Sequence, residues 1–314
     1  MQPGTREPDV PAQAASQHGD RRRQRAVAVM AMIGSAACWG SATVMSRDLL
    51  YDIPPVTLLV LQLSASVAFL VLLAGPRALR RHRTRAFARA SSIGLLEPGA
   101  TYAIGLVGLA LTTAGSASVI GASEPVLIPL VAFLLFGHRP TRRLVVCIAV
   151  ATAGLLLVSS ASTSLPGASP LGDVLIVVAT MTAATYVVLS ARIAADFPPA
   201  TLASGQQAVG LAFALAIFAA VVATGADASG FEVLTPGLLA YAAASGVVQY
   251  ALAFWLYLIG LSRVSAGAAG LWLTLIPVFG LLGAYLVLGE VPTTPMLLGA
   301  TMILAAVTLG RNEA

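Results

Sequence analysis

Two carboxyl side chains, Glu97 and Glu124, stand inside long apolar stretches of this 314-residue chain, and each is followed at once by proline. They are the two ionisable groups that lie well within such stretches. A charge at the centre of a membrane helix costs on the order of 3 kcal/mol even on insertion scales. A carboxyl kept there normally faces a bundle interior or a water-filled cavity, where it marks a solute pathway or a proton relay. Its chemistry would be reversible protonation, or the binding of a substrate amine. A second reading is also open: a protonated glutamic acid bonded to a carbonyl that the adjacent proline frees.

Around these two, helical spacing gathers further polar and aromatic side chains. Ser35, Trp39 and Thr43 share one helix face, Glu97 and Thr101 a second, Thr182 and Tyr186 a third, and Tyr241, Ser245 and Gln249 a fourth. The Ser and Thr residues read as packing and hydrogen-bonding groups between helices, which membrane bundles use heavily. Trp39, Tyr102, Tyr186 and Trp272 fit either a cavity lining or a packed interface. Pro125 and Pro277 are candidate helix kinks. Broken helices at matching places in a repeated chain point to a binding site.

Enzyme constellations are missing from the sequence. It has no Lys, hence no phosphate loop of the Walker type, and no HExxH, CxxC or Gly-x-Ser-x-Gly motif. His18, His82 and His138 all fall outside the apolar stretches, and Cys38 and Cys147 are far apart within them. The expectation is a protein that is not an enzyme and carries no cofactor and no metal.

Hydrophobic residues make up 58% of the chain and charged residues 10%, with a mean hydropathy of +0.88. Soluble domains carry about 25% charged residues, so lipid must solvate most of this surface. A spanning helix needs about 20 apolar residues. Reading apolar runs between breakers gives ten spans, at 27–46, 56–75, 91–111, 114–136, 143–160, 171–191, 201–223, 238–261, 265–288 and 295–310. The fold expected is an all-α integral membrane protein. Residues 1–26 read as an irregular cytoplasmic tail, being rich in Pro, Gln, Ala and Arg.

The net charge of +5 rests on Arg alone. With ten spans, the Arg of the tail, of residues 77–89, of residues 139–143, and Arg192, Arg263 and Arg311 all fall on one side, and only Arg47 on the other. The positive-inside rule then places both termini in the cytoplasm of a multi-pass protein of the cell membrane. Arg clustered between apolar segments excludes a nucleic-acid partner.

The chain also repeats itself. Asp52-Ile-Pro-Pro-Val-Thr-Leu, with Gln62 beyond it, recurs as Asp196-Phe-Pro-Pro-Ala-Thr-Leu with Gln206, an offset of 144. Gly108-Leu109 and Pro125-Val126 recur as Gly260-Leu261 and Pro277-Val278, an offset of 152. The unit is five helices, over residues 27–160 and again 171–310. An odd number makes the second copy enter from the opposite side, which is an inverted repeat of the kind that builds many secondary transporters. At the same offset Glu97 matches Gln249, so the pair occupies equivalent positions with one titratable group between them.

These residues resemble the drug/metabolite transporter superfamily, and within it the EamA-type ten-helix transporters. The resemblance is carried by Trp39-Gly40-Ser41, by Glu124-Pro125-Val126 and by Gly289-Glu290, together with the doubled layout over residues 27–310. The first half departs from the pattern at Gly137-His138, where the family usually has Gly-Glu. The resemblance implies a central cavity between the halves, alternating access, and a small metabolite or drug-like solute as partner. The function expected is gradient-driven transport of such a solute, as an exporter or exchanger, with no ATP site to drive it. A membrane-embedded receptor or assembly factor that moves nothing shares the same sequence features, and solute flux separates the two.

Overall fold

The computed structural model describes residues 10–75, 77, 84–137, 141–162, 168–190, 193, 196–224, 232, 234–261 and 275–310. Among them every regular element is helical: α1 (Val10–Leu49), α2 (Pro55–Ala74), α3 (Arg85–Ala110), α4 (Ala114–Gly121), α5 (Glu124–Phe136), α6 (Arg142–Ser162), α7 (Pro170–Ser190), α8 (Pro199–Ala223), α9 (Pro236–Gly260), α10 (Ile276–Leu288) and α11 (Thr294–Gly310). Proline and threonine set where several of these begin. Pro55 and Pro199 sit in first turns, where a missing N–H costs nothing. Thr84, Thr113 and Thr235 cap α3, α4 and α9 by accepting from the backbone N–H three residues on. Gly137 and Gly289 end α5 and α10 in left-handed conformation, with φ 73° and 69°, which glycine adopts without steric cost.

Among the described residues six helices are long and apolar enough to cross a membrane, and seven if α4 and α5, bent by 48° at their junction, form one span. Three further apolar helices are shorter: Val145–Val158 within α6, α10, and Thr294–Leu309 within α11. Ten spans were expected from the sequence; the start of the ninth, residues 265–274, lies outside the described residues. The tail expected over residues 1–26 is helical from Val10 onward. Ala, Gln and Arg favour helix, and the apolar span behind them supplies the nucleus from which it extends. Large apolar side chains cover the outside: Leu72 is 82% exposed and Leu286 69%. Such a surface suits lipid and not water. The chain is therefore a multi-pass membrane protein.

The helices pair across the two sequence copies. α2 packs on α8, α4 on α10 and α6 on α11. The other contacts are exchanged: α3 packs on α7 while α9 packs on α1, and α5 packs on α7 while α10 packs on α1. Two glycines make the closest crossings. Gly94 in α3 lies against the backbone of Gln206 in α8, and Gly246 in α9 lies against the backbone of Gln62 in α2. Only a residue without a side chain fits there, since any Cβ would overlap main-chain atoms.

Candidate functional site

The two helices that carry these glycines are both interrupted just beyond them. In α3 a tight turn at Ile93–Leu95 leads into a kink at Glu97, which a cis peptide bond joins to Pro98; in α9 a π-turn covers Val247–Leu252. Glu97 stands at the kink with an extended backbone (φ −141°, ψ 123°), and Gln249 lies in the π-turn. π-turns of this kind recur at functional sites. Both side chains are buried, Glu97 at 7% exposure and Gln249 at 6%.

Both line one cavity of about 980 Å³, open mouth included, formed between α1, α3, α4, α5, α7, α9 and α10. Glu124 enters it from the bend between α4 and α5, and Trp39, Tyr102 and Tyr186 from α1, α3 and α7. Six side chains selected from the sequence thus share one space. Trp272 lies outside the described residues. Pro125 stands in the first turn of α5, directly after the 48° bend. Pro277 stands in the first turn of α10, and the residues before Leu275 are outside those described.

Aromatic rings make the wall. Trp39 meets Phe254 edge-on at 5.2 Å and Tyr257 at 5.4 Å, and Phe254 also meets Tyr102 and Tyr186. Phe254 and Tyr257 were not selected from the sequence. A π-turn inserts one residue into the helical register, so the face that holds Gln249 continues at position 254 and not at 253. The stripe of Tyr250, Phe254 and Tyr257 at helical spacing was the available signal.

The polar chemistry is one-sided. Glu97 and Glu124 line the same cavity. No basic side chain is among the described residues that line the cavity. Two like charges in one low-dielectric space are unfavourable, and a proton or a bound cation relieves them. Thr101 Oγ1 and Ser118 Oγ also line the cavity and are buried without a hydrogen-bond partner among the described residues. Buried polar atoms are nearly always paired, so these two offer contacts to a solute or water. Among the described residues no group of three His, Cys, Asp or Glu could hold a metal ion.

A hydrogen-bonded network backs one wall. Gln62 Nε2 donates to Ser46 Oγ (2.9 Å) and to Ser245 Oγ (2.8 Å), and Ser46 Oγ donates to Gln249 Oε1 (2.9 Å). Tyr250 OH donates to Gln62 Oε1 at 3.3 Å. Gln207 Nε2 donates to the Tyr250 carbonyl at 2.6 Å, and Ser66 Oγ to Gln207 Oε1. On the other wall Gln206 accepts from Tyr186 OH (2.8 Å) and donates to the Ala90 carbonyl (3.3 Å). Gln62 and Gln206, the equivalent residues of the two copies, are buried at 0% and 2% exposure. They sit where helices of the two copies cross, because an amide can satisfy polar groups from several helices there. At one end of the bundle Glu290 accepts from the first-turn amides of Ala114 and Gly115 (3.0 and 2.9 Å), capping α4. Nearby Thr112 Oγ1 donates to Asp173.

Comparison with known proteins adds the following. The profile of the EamA-like transporter family matches residues 26–160 and 170–310. A protein of Bacillus subtilis (strain 168) named "Uncharacterized transporter YetK" is 23% identical over 195 residues, 59% of this chain and 56% of that protein. The matched stretch therefore spans little more than half the length of that relative. A solved structure described as "Crystal structure of protein" aligns with a TM-score of 0.60 at 18% identity, over 89% of this chain and 94% of that one. That likeness concerns the fold alone.

Proposed function

The chain belongs to the EamA-like transporter family, and on that premise we propose that it is a gradient-driven carrier working by alternating access, as an exporter or exchanger of a small solute. With α4 and α5 as one bent span, ten spans would form two five-span halves of opposite orientation, with both termini in the cytoplasm. The observation that carries this reading is the cavity between the two sequence copies, where Glu97 and Glu124 stand within an aromatic wall. The exchanged helix contacts support the two-half layout, since α3–α7 has its counterpart in α9–α1 and α5–α7 in α10–α1. Rocking one half against the other would open the same cavity to each side in turn.

The lining chooses among solutes. Two carboxyls, several aromatic faces and no described basic group favour a cationic or neutral solute with an apolar body over an anion. Glu97 is the residue we assign to the proton or the substrate amine. Glu124 shares the cavity and holds the second place in the relay.

The test is flux. Purified full-length protein, reconstituted into lipid vesicles, is offered a panel of labelled amines, neutral metabolites and organic anions, preselected by their effect on thermal melting. Uptake of an amine or a neutral solute above protein-free vesicles supports the carrier. Solutes that raise the melting temperature but are never moved would favour the receptor reading instead.

A further inference from the structure

The run from Ser46 to Gln62 matches the run from Ser190 to Gln206 at the offset of 144 that also aligns the two Pro-Pro pairs. Ser46 is therefore the equivalent of Ser190, as Gln62 is of Gln206 and, at offset 152, Gln249 is of Glu97. On one side the three partners are joined: Gln62 donates to Ser46, and Ser46 donates to Gln249. On the other side they are not. Ser190 is 6% exposed, and its Oγ, though beside the Tyr186 hydroxyl, makes no bond of proper geometry among the described residues. The Gln206 amide is turned to the Ala90 carbonyl, and Glu97 faces the cavity.

The crossings that hold these groups are the same on both sides, Gly246 on Gln62 and Gly94 on Gln206. The helix crossings are thus repeated, while the chain differs where it carries the two side chains, extended at Glu97 with a cis bond to Pro98 and helical in a π-turn at Gln249, and the polar contacts are made on one side only. In a carrier built of two equivalent halves, the opposite-facing state interchanges the arrangements of the halves. We propose that Ser190 is a positioning residue for Glu97: in the opposite-facing state its hydroxyl donates to the Glu97 carboxyl, as Ser46 donates to Gln249 here. The inference rests on the carrier reading given above.

In the present state Glu97 shares the cavity with Glu124 of α5, Tyr102 of α3, Tyr186 of α7 and Tyr257 of α9, and Tyr250 of α9 packs behind Tyr102. The switch gives its carboxyl an alternative partner, so a solute or proton released from Glu97 does not leave a buried acceptor unpaired. The two halves then alternate between one satisfied serine and the other.

Infrared spectroscopy of the full chain in lipid vesicles tests this contact without any ligand. The protonated Glu97 C=O band is assigned by its loss in Glu97→Gln. The wild type should show two components, the lower one from the hydrogen-bonded state. Ser190→Ala should remove the lower component, and Ser190→Thr, which keeps the hydroxyl, should restore it. In the flux assay Ser190→Ala should slow transport about tenfold, the scale of one hydrogen bond to a carboxyl, with Ser190→Thr near wild type. An unsplit band unchanged by Ser190→Ala overturns the inference even where flux is intact. A band that responds to Ser190 in a protein that moves no solute keeps the contact and overturns the carrier.

Discussion

Ser46 donates a hydrogen bond to Gln249 across 203 residues of sequence, joining α1 of the first copy to α9 of the second. Removing the acceptor by Gln249→Leu leaves the Ser46 hydroxyl hydrogen without its partner inside the bundle. Polar contacts of this kind in membrane bundles contribute roughly 0.6 to 2 kcal/mol. The melting temperature in detergent should fall by a few degrees. Ser46→Ala combined with Gln249→Leu should cost less than the sum of the two single losses, because the two share one bond while Ser46 also accepts from Gln62. Additive losses would show that the contact contributes nothing.

The paired glycines give a sharper expectation. A Cβ on Gly94 or Gly246 would overlap the backbone of Gln206 or Gln62, and backbone cannot rotate away as a side chain can. Gly94→Ala and Gly246→Ala should each destabilise by at least about 1–3 kcal/mol, the usual cost of overpacking. Gly121→Ala is the control, since nothing lies within 4 Å of its added methyl. It should melt at or above the wild-type temperature. Equal tolerance of all three would mean that the α3–α8 and α9–α2 crossings are looser than described.

Much of the site was legible because intramembrane charge is rare. Glu97 and Glu124 stand out against an apolar background, and the 152-residue offset led from Glu97 to Gln249. Burial was harder to read. In a lipid-solvated bundle apolar side chains face both outward and inward, so hydropathy does not tell the buried Gln62 and Gln206 from lipid-facing positions. The π-turn in α9 was also invisible, because a one-residue insertion in the register leaves no mark on composition. That is why Phe254 and Tyr257, which the inserted residue brings to the cavity, were missed while Trp39, Tyr102 and Tyr186 were found. The helical start at Val10 shows a further limit: polar composition argues against a packed core, and it does not argue against helix.

Topology follows from the Arg distribution. A reporter active only in the cytoplasm, fused after residue 314, should be active, and one inserted after Asp227 should not be. Alkaline phosphatase, which folds outside, should give the reverse pattern at both places. An external C-terminus would remove one span from the ten and undo the opposed orientation of the halves.

The most direct test concerns Glu97. Glu97→Gln makes the two halves alike at this position, keeps size and hydrogen bonding, and removes the titratable group. Flux of a transported solute is measured in vesicles with and without an imposed pH gradient. Wild-type flux should respond to the gradient. The Gln variant should melt within a degree or two of wild type, and its remaining flux should be the same with and without the gradient. A pH response of wild-type size in the Gln variant would contradict the coupling role of Glu97 and pass it to Glu124.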